Sequence, residues 1–151
     1  MIYYFCPETA LLSSGIRLLY RHVEILCSHQ FPAAILHQTK DFRRADLATV
    51  PVAAPDAIVE GDIVVVPEGL SGYMELLYGL PIRCFAIALN WHYIYRNLKP
   101  YHDFRSFGIE CVLTNSPFIE KMVTWAMSGL PVYTFISGID ETLYYEEKKL
   151  K

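Results

Sequence analysis

The chain has 151 residues, a length typical of one domain, and 53% of them are hydrophobic while 19% are charged. This composition excludes an intrinsically disordered chain, because so apolar a polypeptide can bury a substantial core. The net charge of -3 argues against nucleic acid as a partner, because phosphate binding needs clustered lysine and arginine. We also predict no transmembrane segment and no signal peptide, because the apolar runs are far shorter than the roughly 20 residues that span a bilayer.

Four cysteines are spread along the chain, at Cys6, Cys27, Cys84 and Cys111. Without a close pair they indicate neither a zinc site nor a redox dithiol. Three lie in apolar, strand-like runs, where a free cysteine behaves as a small buried hydrophobe. We therefore predict reduced cysteines, a cytoplasmic protein and no metal ligands.

The first half of the chain alternates strand-like and helix-like segments. A strand is predicted at Ile2–Cys6, and an amphipathic helix follows with its apolar stripe running from Ile16 to Cys27. The next strand is predicted at Ala33–Leu36, and a short one near Val50–Ala53 is left open. The β-branched run Asp62–Pro67 is typical of a strand buried on both faces of a parallel sheet.

The middle of the chain continues the alternation. A short helix is predicted at Tyr73–Tyr78, where Gly79 and Pro81 stop it, and a strand at Ile82–Leu89. The segment Tyr95–Phe107 predicts a helix broken by its central proline.

The last part of the chain predicts two strands around the clearest helix. The strands are Glu110–Thr114 and Val132–Ile136. Between them Ser116 caps a helix that has proline at its first position, and Gly129 ends it. The repetition predicts a Rossmann-like, doubly wound α/β domain with a mostly parallel sheet of about six strands and helices on both faces.

In such a fold ligands bind at the carboxyl ends of the strands. Polar and glycine residues follow five of the predicted strands: Ser13-Ser14-Gly15, Glu68-Gly69, Asn90-Trp91-His92, Asn115-Ser116 and Ser137-Gly138. Ser13, Ser14 and Gly15 open a helix, so they indicate either an anion site or simple capping. Glu68 either binds acceptor hydroxyls or caps the helix that follows it, and Ser116 is favoured as a cap.

The segment from Asn90 to Tyr93 joins hydrogen-bonding and aromatic side chains. Asn90 and His92 can bond a sugar hydroxyl or a phosphate, and Trp91 can stack on a sugar face. His92 is the candidate proton donor or acceptor because histidine titrates near neutral pH. The alternative is that these rings only pack a loop.

The ordered set of these motifs resembles the N-terminal domain of the retaining, group 1 glycosyltransferases of GT-B fold. The likeness is carried by Ser13-Ser14-Gly15-Ile16-Arg17 with Arg21-His22-Val23, by Asp62–Glu68, by Val112–Ser116 and by Ser137-Gly138-Ile139-Asp140. The family's paired glycine is replaced here by Ser14-Gly15, which allows a less close approach of a phosphate to the backbone.

The resemblance implies that residues 1–140 form an acceptor-binding, Rossmann-like domain and that 141–151 are an interdomain linker or a frayed tail. A nucleoside diphosphate sugar would be the donor of the intact enzyme, a sugar or glycan the acceptor, and no cofactor or metal would be needed. The donor-binding C-terminal domain is absent from this sequence, so the chain alone is expected to be inactive or nearly so, and the isolated domain is a candidate homodimer.

Two other readings stay open at this stage. One is a non-enzymatic α/β interaction domain of flavodoxin or receiver shape, although Glu8 alone follows the first strand where a receiver needs several carboxylates. The other is a stand-alone small-molecule enzyme on the same scaffold.

Overall fold

The computed structural model describes residues 1–45, 47, 50–96, 98 and 102–138, which form one parallel sheet with helices on both faces. The strands are β1 (Ile2–Phe5), β2 (Ala33–Leu36), β3 (Val52–Ala53), β4 (Ile63–Pro67), β5 (Arg83–Ala88), β6 (Ile109–Thr114) and β7 (Val132–Thr134). The helices are α1 (Ser14–Ser28), α2 (Ser71–Leu77), α3 (Trp91–Arg96) and α4 (Pro117–Ala126), with 3-10 turns at Pro55–Ala57 and Phe104–Phe107.

The strand order is β3-β2-β1-β4-β5-β6-β7, and every neighbouring pair is parallel. This confirms the predicted doubly wound α/β fold, with seven strands where about six were expected. The seventh is β3, whose two residues pair only with Ile35 and Leu36. The order reverses between β1 and β4, so α1 packs on one face of the sheet while α2, α3 and α4 pack on the other.

Each face of the sheet has its own apolar core. On the rear face, α1 packs Leu19 and Val23 against Ile35 and Val65 of the central strands. On the front face, the buried core joins strand residues to α2, α3 and α4, the helices on the other side of the order reversal. Alternate residues of the central strands enter one core or the other, as the two-residue period of a strand requires.

The predicted helix at Tyr95–Phe107 differs from the structure. Helix α3 begins earlier, at Trp91, because the Asn90 Oδ1 atom accepts the backbone N–H of His92 at 3.0 Å and caps its first turn. Farther on, Phe104–Phe107 is a 3-10 turn with Asp103 as its cap. Pro100, the predicted break, lies outside the described residues.

The four cysteines are free, and three of them, Cys6, Cys84 and Cys111, are buried in the sheet region. Cys27 is half-buried, and its thiol points at the carbonyl oxygen of Ala33 at 3.4 Å. The prediction of thiols that serve as core residues therefore holds for the three strand-associated cysteines. Residues 139–151, predicted as the end of the domain and its linker or tail, lie outside the described residues.

Candidate functional site

The carboxyl ends of the strands bring three of the predicted motifs together around Leu89. Gly15, in the first turn of α1, lies close to this residue, since a methyl group placed on Gly15 would be 3.6 Å from Leu89 Cδ1. The Glu68 Oε1 atom accepts the backbone N–H of Leu89 at 3.1 Å and that of Asn90 at 2.8 Å. The start of α1, the end of β4 and the β5–α3 connection thus form one continuous edge.

At the start of α1, one serine acts as the cap. The Ser13 Oγ atom accepts the backbone N–H of Ile16 at 3.2 Å, so its lone pair satisfies one of the donors exposed at a helix start. Ser14 is the first residue of the helix and is exposed. The capping interpretation is therefore confirmed at Ser13, and the anion site at this turn stays a prediction.

Glu68 is a buried carboxylate, with 6% of its surface exposed. Burial raises the pKa of its carboxyl above the ordinary value, and the N–H groups of Asn90 and Leu89 oppose that rise. It does not cap α2, whose preceding residue is Leu70. Because Glu68 accepts hydrogen bonds from the β5–α3 connection, it holds that loop in place.

The first turn of α3 presents an aromatic cluster formed by Trp91, His92 and Tyr93, which we call the aromatic turn. All three side chains are exposed. The imidazole of His92 meets the ring of Trp91 edge-on at 5.9 Å and that of Tyr93 at 5.7 Å. The Arg96 guanidinium lies 5.8 Å from the Tyr93 ring centre, a cation–π contact. The three rings therefore stand exposed at the site edge, with one face of Tyr93 covered by Arg96.

At the end of β6, Ser116 serves as the cap of α4, its Oγ accepting the backbone N–H of Phe118 at 3.2 Å. The neighbouring Asn115 Oδ1 atom is buried, and within the described part of the chain it has no hydrogen-bond partner. At the end of β7, Ser137 and Gly138 are described, whereas Ile139 and Asp140 of the same predicted motif lie outside the described residues.

The structure adds a polar cluster that the sequence analysis missed, formed by Tyr20, His37 and the carbonyl of Cys6. Burial lowers the pKa of the His37 imidazole below its ordinary value. His37 Nδ1 lies 3.0 Å from the Cys6 carbonyl oxygen, and Nε2 lies 3.0 Å from the Tyr20 hydroxyl. A carbonyl can only accept, so Nδ1 carries the proton and Nε2 accepts from the tyrosine.

Next to this cluster, the Glu8 carboxylate binds the segment that follows β2. It accepts hydrogen bonds from the Thr39 backbone N–H and, at 2.8 Å, from the Thr39 hydroxyl. Burial opposes ionisation, but these bonds outweigh it and hold the pKa of Glu8 below its ordinary value. The sequence signal for both clusters was a polar residue soon after a strand, with Glu8 three residues beyond β1 and His37 immediately after β2.

Within the described ranges, no group of three or more histidine, cysteine, aspartate or glutamate side chains is placed to hold a metal ion. None of the helices in those ranges has the length and apolar character required to cross a membrane. No protein-family model, curated protein or solved structure matches this chain.

Proposed function

We propose that this chain is the acceptor-binding half of a GT-B glycosyltransferase, which transfers a sugar from a nucleoside diphosphate sugar to an acceptor hydroxyl with retention. The observation that carries the proposal is the contact between the start of α1 and the β5–α3 connection. It sets an exposed helix N-terminus beside the aromatic turn, at the edge where doubly wound sheets bind their ligands.

The start of α1 suits the phosphates of the donor. Unpaired N–H groups and the helix dipole favour an anion there, and the exposed Ser14 adds a hydroxyl donor. Gly15 keeps the space between this turn and Leu89 free of a side chain. A sugar diphosphate held by a second domain would meet this chain at that turn.

The aromatic turn suits the acceptor. Trp91 offers a ring face on which a sugar can stack, and His92 beside it can take the proton that leaves the attacking hydroxyl. Two hydrogen bonds fix the backbone of this turn. The Glu68 carboxylate accepts the backbone N–H of Asn90, and the Asn90 side-chain oxygen accepts the backbone N–H of His92. Such positioning keeps the imidazole in reach of one acceptor hydroxyl.

The 151-residue chain alone should show no measurable transfer, because transfer needs donor and acceptor to be held together. Binding of each component is therefore the direct test. Trp91 and Trp125 are the two tryptophans of the chain, and they are 49% and 82% exposed. Trp125→Phe leaves Trp91 as the sole indole reporter at the site, and Trp91→Phe leaves the reporter on α4 as the matched control.

We expect methyl glycosides of one hexose series to change the fluorescence of the Trp125→Phe protein in a saturable way and to leave the Trp91→Phe protein unchanged. Uridine and guanosine diphosphates, added separately to ¹⁵N-labelled protein, should shift the amide signals of Ser14 and Gly15. The proposal would be overturned if no sugar changed the Trp91 fluorescence and no nucleotide shifted the amide signals of Ser14 and Gly15 at millimolar concentration. That result would favour a non-enzymatic interaction domain.

A further inference from the structure

A groove of about 390 Å³ runs along the front face of β1 and β2. Phe5 and Leu36 form its floor, the loop at Ile58 one wall, and Leu76 and Leu77 of α2 the other. It exists because the β3–β4 connection carries only the 3-10 turn Pro55–Ala57, so within the described residues no full helix covers this part of the front face. The volume lies in the range of small-molecule sites.

The groove is apolar along its length and polar at its ends. Gln38 follows the carboxyl end of β2 and Tyr73 lies near the start of α2, so both are toward the carboxyl edge of the sheet, whereas Glu60 precedes β4 and lies toward the opposite edge. Tyr73 is held by its ring, which packs on Phe5 with 3.9 Å between the ring centres. One end therefore offers hydrogen bonds at the same edge of the sheet as the candidate functional site.

The rim of the groove exposes aliphatic side chains to solvent. Leu76 is 71% exposed and Val59 is 63% exposed, and Leu80 completes the rim. A cluster of exposed aliphatic residues around a concave apolar surface marks a binding site more often than a plain surface.

The charges along the groove favour a neutral ligand over an anionic one. Among the described residues that line the groove, Glu60 carries the only charged side chain, and neither lysine nor arginine is among them. A fatty-acid carboxylate would therefore find no cation to pair with in the groove, whereas a neutral head with hydroxyl groups can bond Gln38 and Tyr73.

We propose that the groove binds the single apolar chain of a neutral amphiphile, whose hydroxyl-bearing head lies at the Gln38–Tyr73 end. That this amphiphile is the glycosyl acceptor rests on the proposed function. The binding itself does not, because it depends only on the groove.

The probes are octyl β-glucoside below its micelle-forming concentration, methyl β-glucoside as the head without a tail, and octanoate as the tail with an anionic head. We expect nuclear Overhauser contacts between the octyl chain and the methyl groups of Ile58, Leu76 and Leu77. Octyl glucoside should bind the groove at least roughly tenfold more tightly than either other probe, since each buried methylene adds affinity.

Leu76→Gln should weaken binding of octyl glucoside about fivefold, because it removes apolar contact from the rim. Ile25→Gln is the matched control, a partly exposed aliphatic residue of α1 on the rear face, and should leave binding unchanged. Glu60→Gln should strengthen octanoate binding about twofold relative to octyl glucoside, because it removes the one carboxylate that lines the groove.

Octanoate binding the unaltered groove as tightly as octyl glucoside would overturn the proposal, as would the absence of contacts from the octyl chain to these methyl groups. Groove binding without any response at Ser14 or Trp91 would leave this inference standing and remove the proposed function. A response at Ser14 and Trp91 without binding in the groove would overturn this inference and leave the proposed function standing.

Discussion

Two polar clusters lie at the same edge of the sheet and differ in how their hydrogen-bonding capacity is used. In the Tyr20–His37 cluster, both imidazole nitrogens are partnered and the ring is fully buried. In the aromatic turn, the backbone is fixed by Glu68 and Asn90 while the rings themselves face solvent. The first cluster holds the fold, and the second is left available for a ligand.

The largest effect that tests this comparison is expected at Glu68. Glu68→Ala leaves the N–H groups of Leu89 and Asn90 without their acceptor beneath the aromatic turn, and the free energy of unfolding should fall by about 3 kcal/mol. Glu68→Gln keeps a carbonyl acceptor in place and should lose under about 1.5 kcal/mol. Denaturant unfolding of both variants measures the difference, and equal losses would show that the two bonds do not carry the stability.

A smaller effect is expected in the buried cluster. Tyr20→Phe removes the donor to His37 Nε2 and leaves a buried acceptor unpaired, so unfolding should become easier by about 1–2 kcal/mol. Tyr133→Phe is the matched control on an exposed tyrosine and should change stability by less than about 0.5 kcal/mol. Equal values for the two variants in thermal or chemical denaturation would contradict a structural role for the cluster.

Stability should change with pH in opposite directions for the two clusters, because the pKa of His37 is lowered while that of Glu68 is raised. Burial lowers the pKa of His37 and of His22 below the ordinary 6.5, so the stability they contribute is present above that pH and is lost as pH falls through their folded pKa values. His37→Gln should therefore flatten the loss of unfolding free energy between pH 7 and pH 5. An unchanged slope would contradict the burial of a neutral imidazole.

Glu68 acts in the opposite direction at lower pH. Its folded pKa lies above the ordinary 4.5, so its contribution is present below that pH and is lost as pH rises through the folded value. The stability advantage of the wild type over Glu68→Gln should accordingly be larger at pH 4 than at pH 7. Unfolding curves at the two pH values measure this, and a constant difference would show that the carboxyl is not desolvated.

The smallest effect is expected at the glycine of the site edge. Gly15→Ala adds a methyl group at ordinary contact distance from Leu89 and Ser13, and the lost flexibility of the unfolded chain should raise stability by about 0.5 kcal/mol. Gly72→Ala in α2, where the methyl group meets nothing within 4 Å, should give the same gain. Only Gly15→Ala should reduce the amide shifts caused by a nucleoside diphosphate, and an equal reduction in both variants would argue against a phosphate at α1.

The sequence was sufficient wherever a signal was local. The β-branched run before Glu68 predicted a buried parallel strand. Ser116 was favoured as a cap, and capping was one of two interpretations of Ser13 and Ser14, because a cap bonds within three residues. The start of α3 was also a local feature, but the Asn90 cap was read as a ligand-binding group and the helix was placed four residues too late.

Features that depend on residues distant in sequence could not be predicted. The partners of Glu68 lie 21 and 22 residues away, and those of His37 lie 17 and 31 residues away. The two-residue strand β3, which the sequence left open near Val50–Ala53, is too short to show a period of its own and is defined by its pairing with β2. The groove lies where the β3–β4 connection leaves the front face of β1 and β2 uncovered, and that surface exists only once the strands have paired.

The reactivity of the three buried cysteines reports local opening of the sheet. Burial raises the pKa of Cys6 to about 12 and that of Cys84 to about 11, and it raises the pKa of Cys111 as well, so little reactive thiolate exists at neutral pH. An alkylating reagent will modify each of these cysteines only when its strand separates from its neighbours. The three modification rates then rank the opening of the carboxyl end of β1, which Cys6 follows, and of β5 and β6, without any label being introduced.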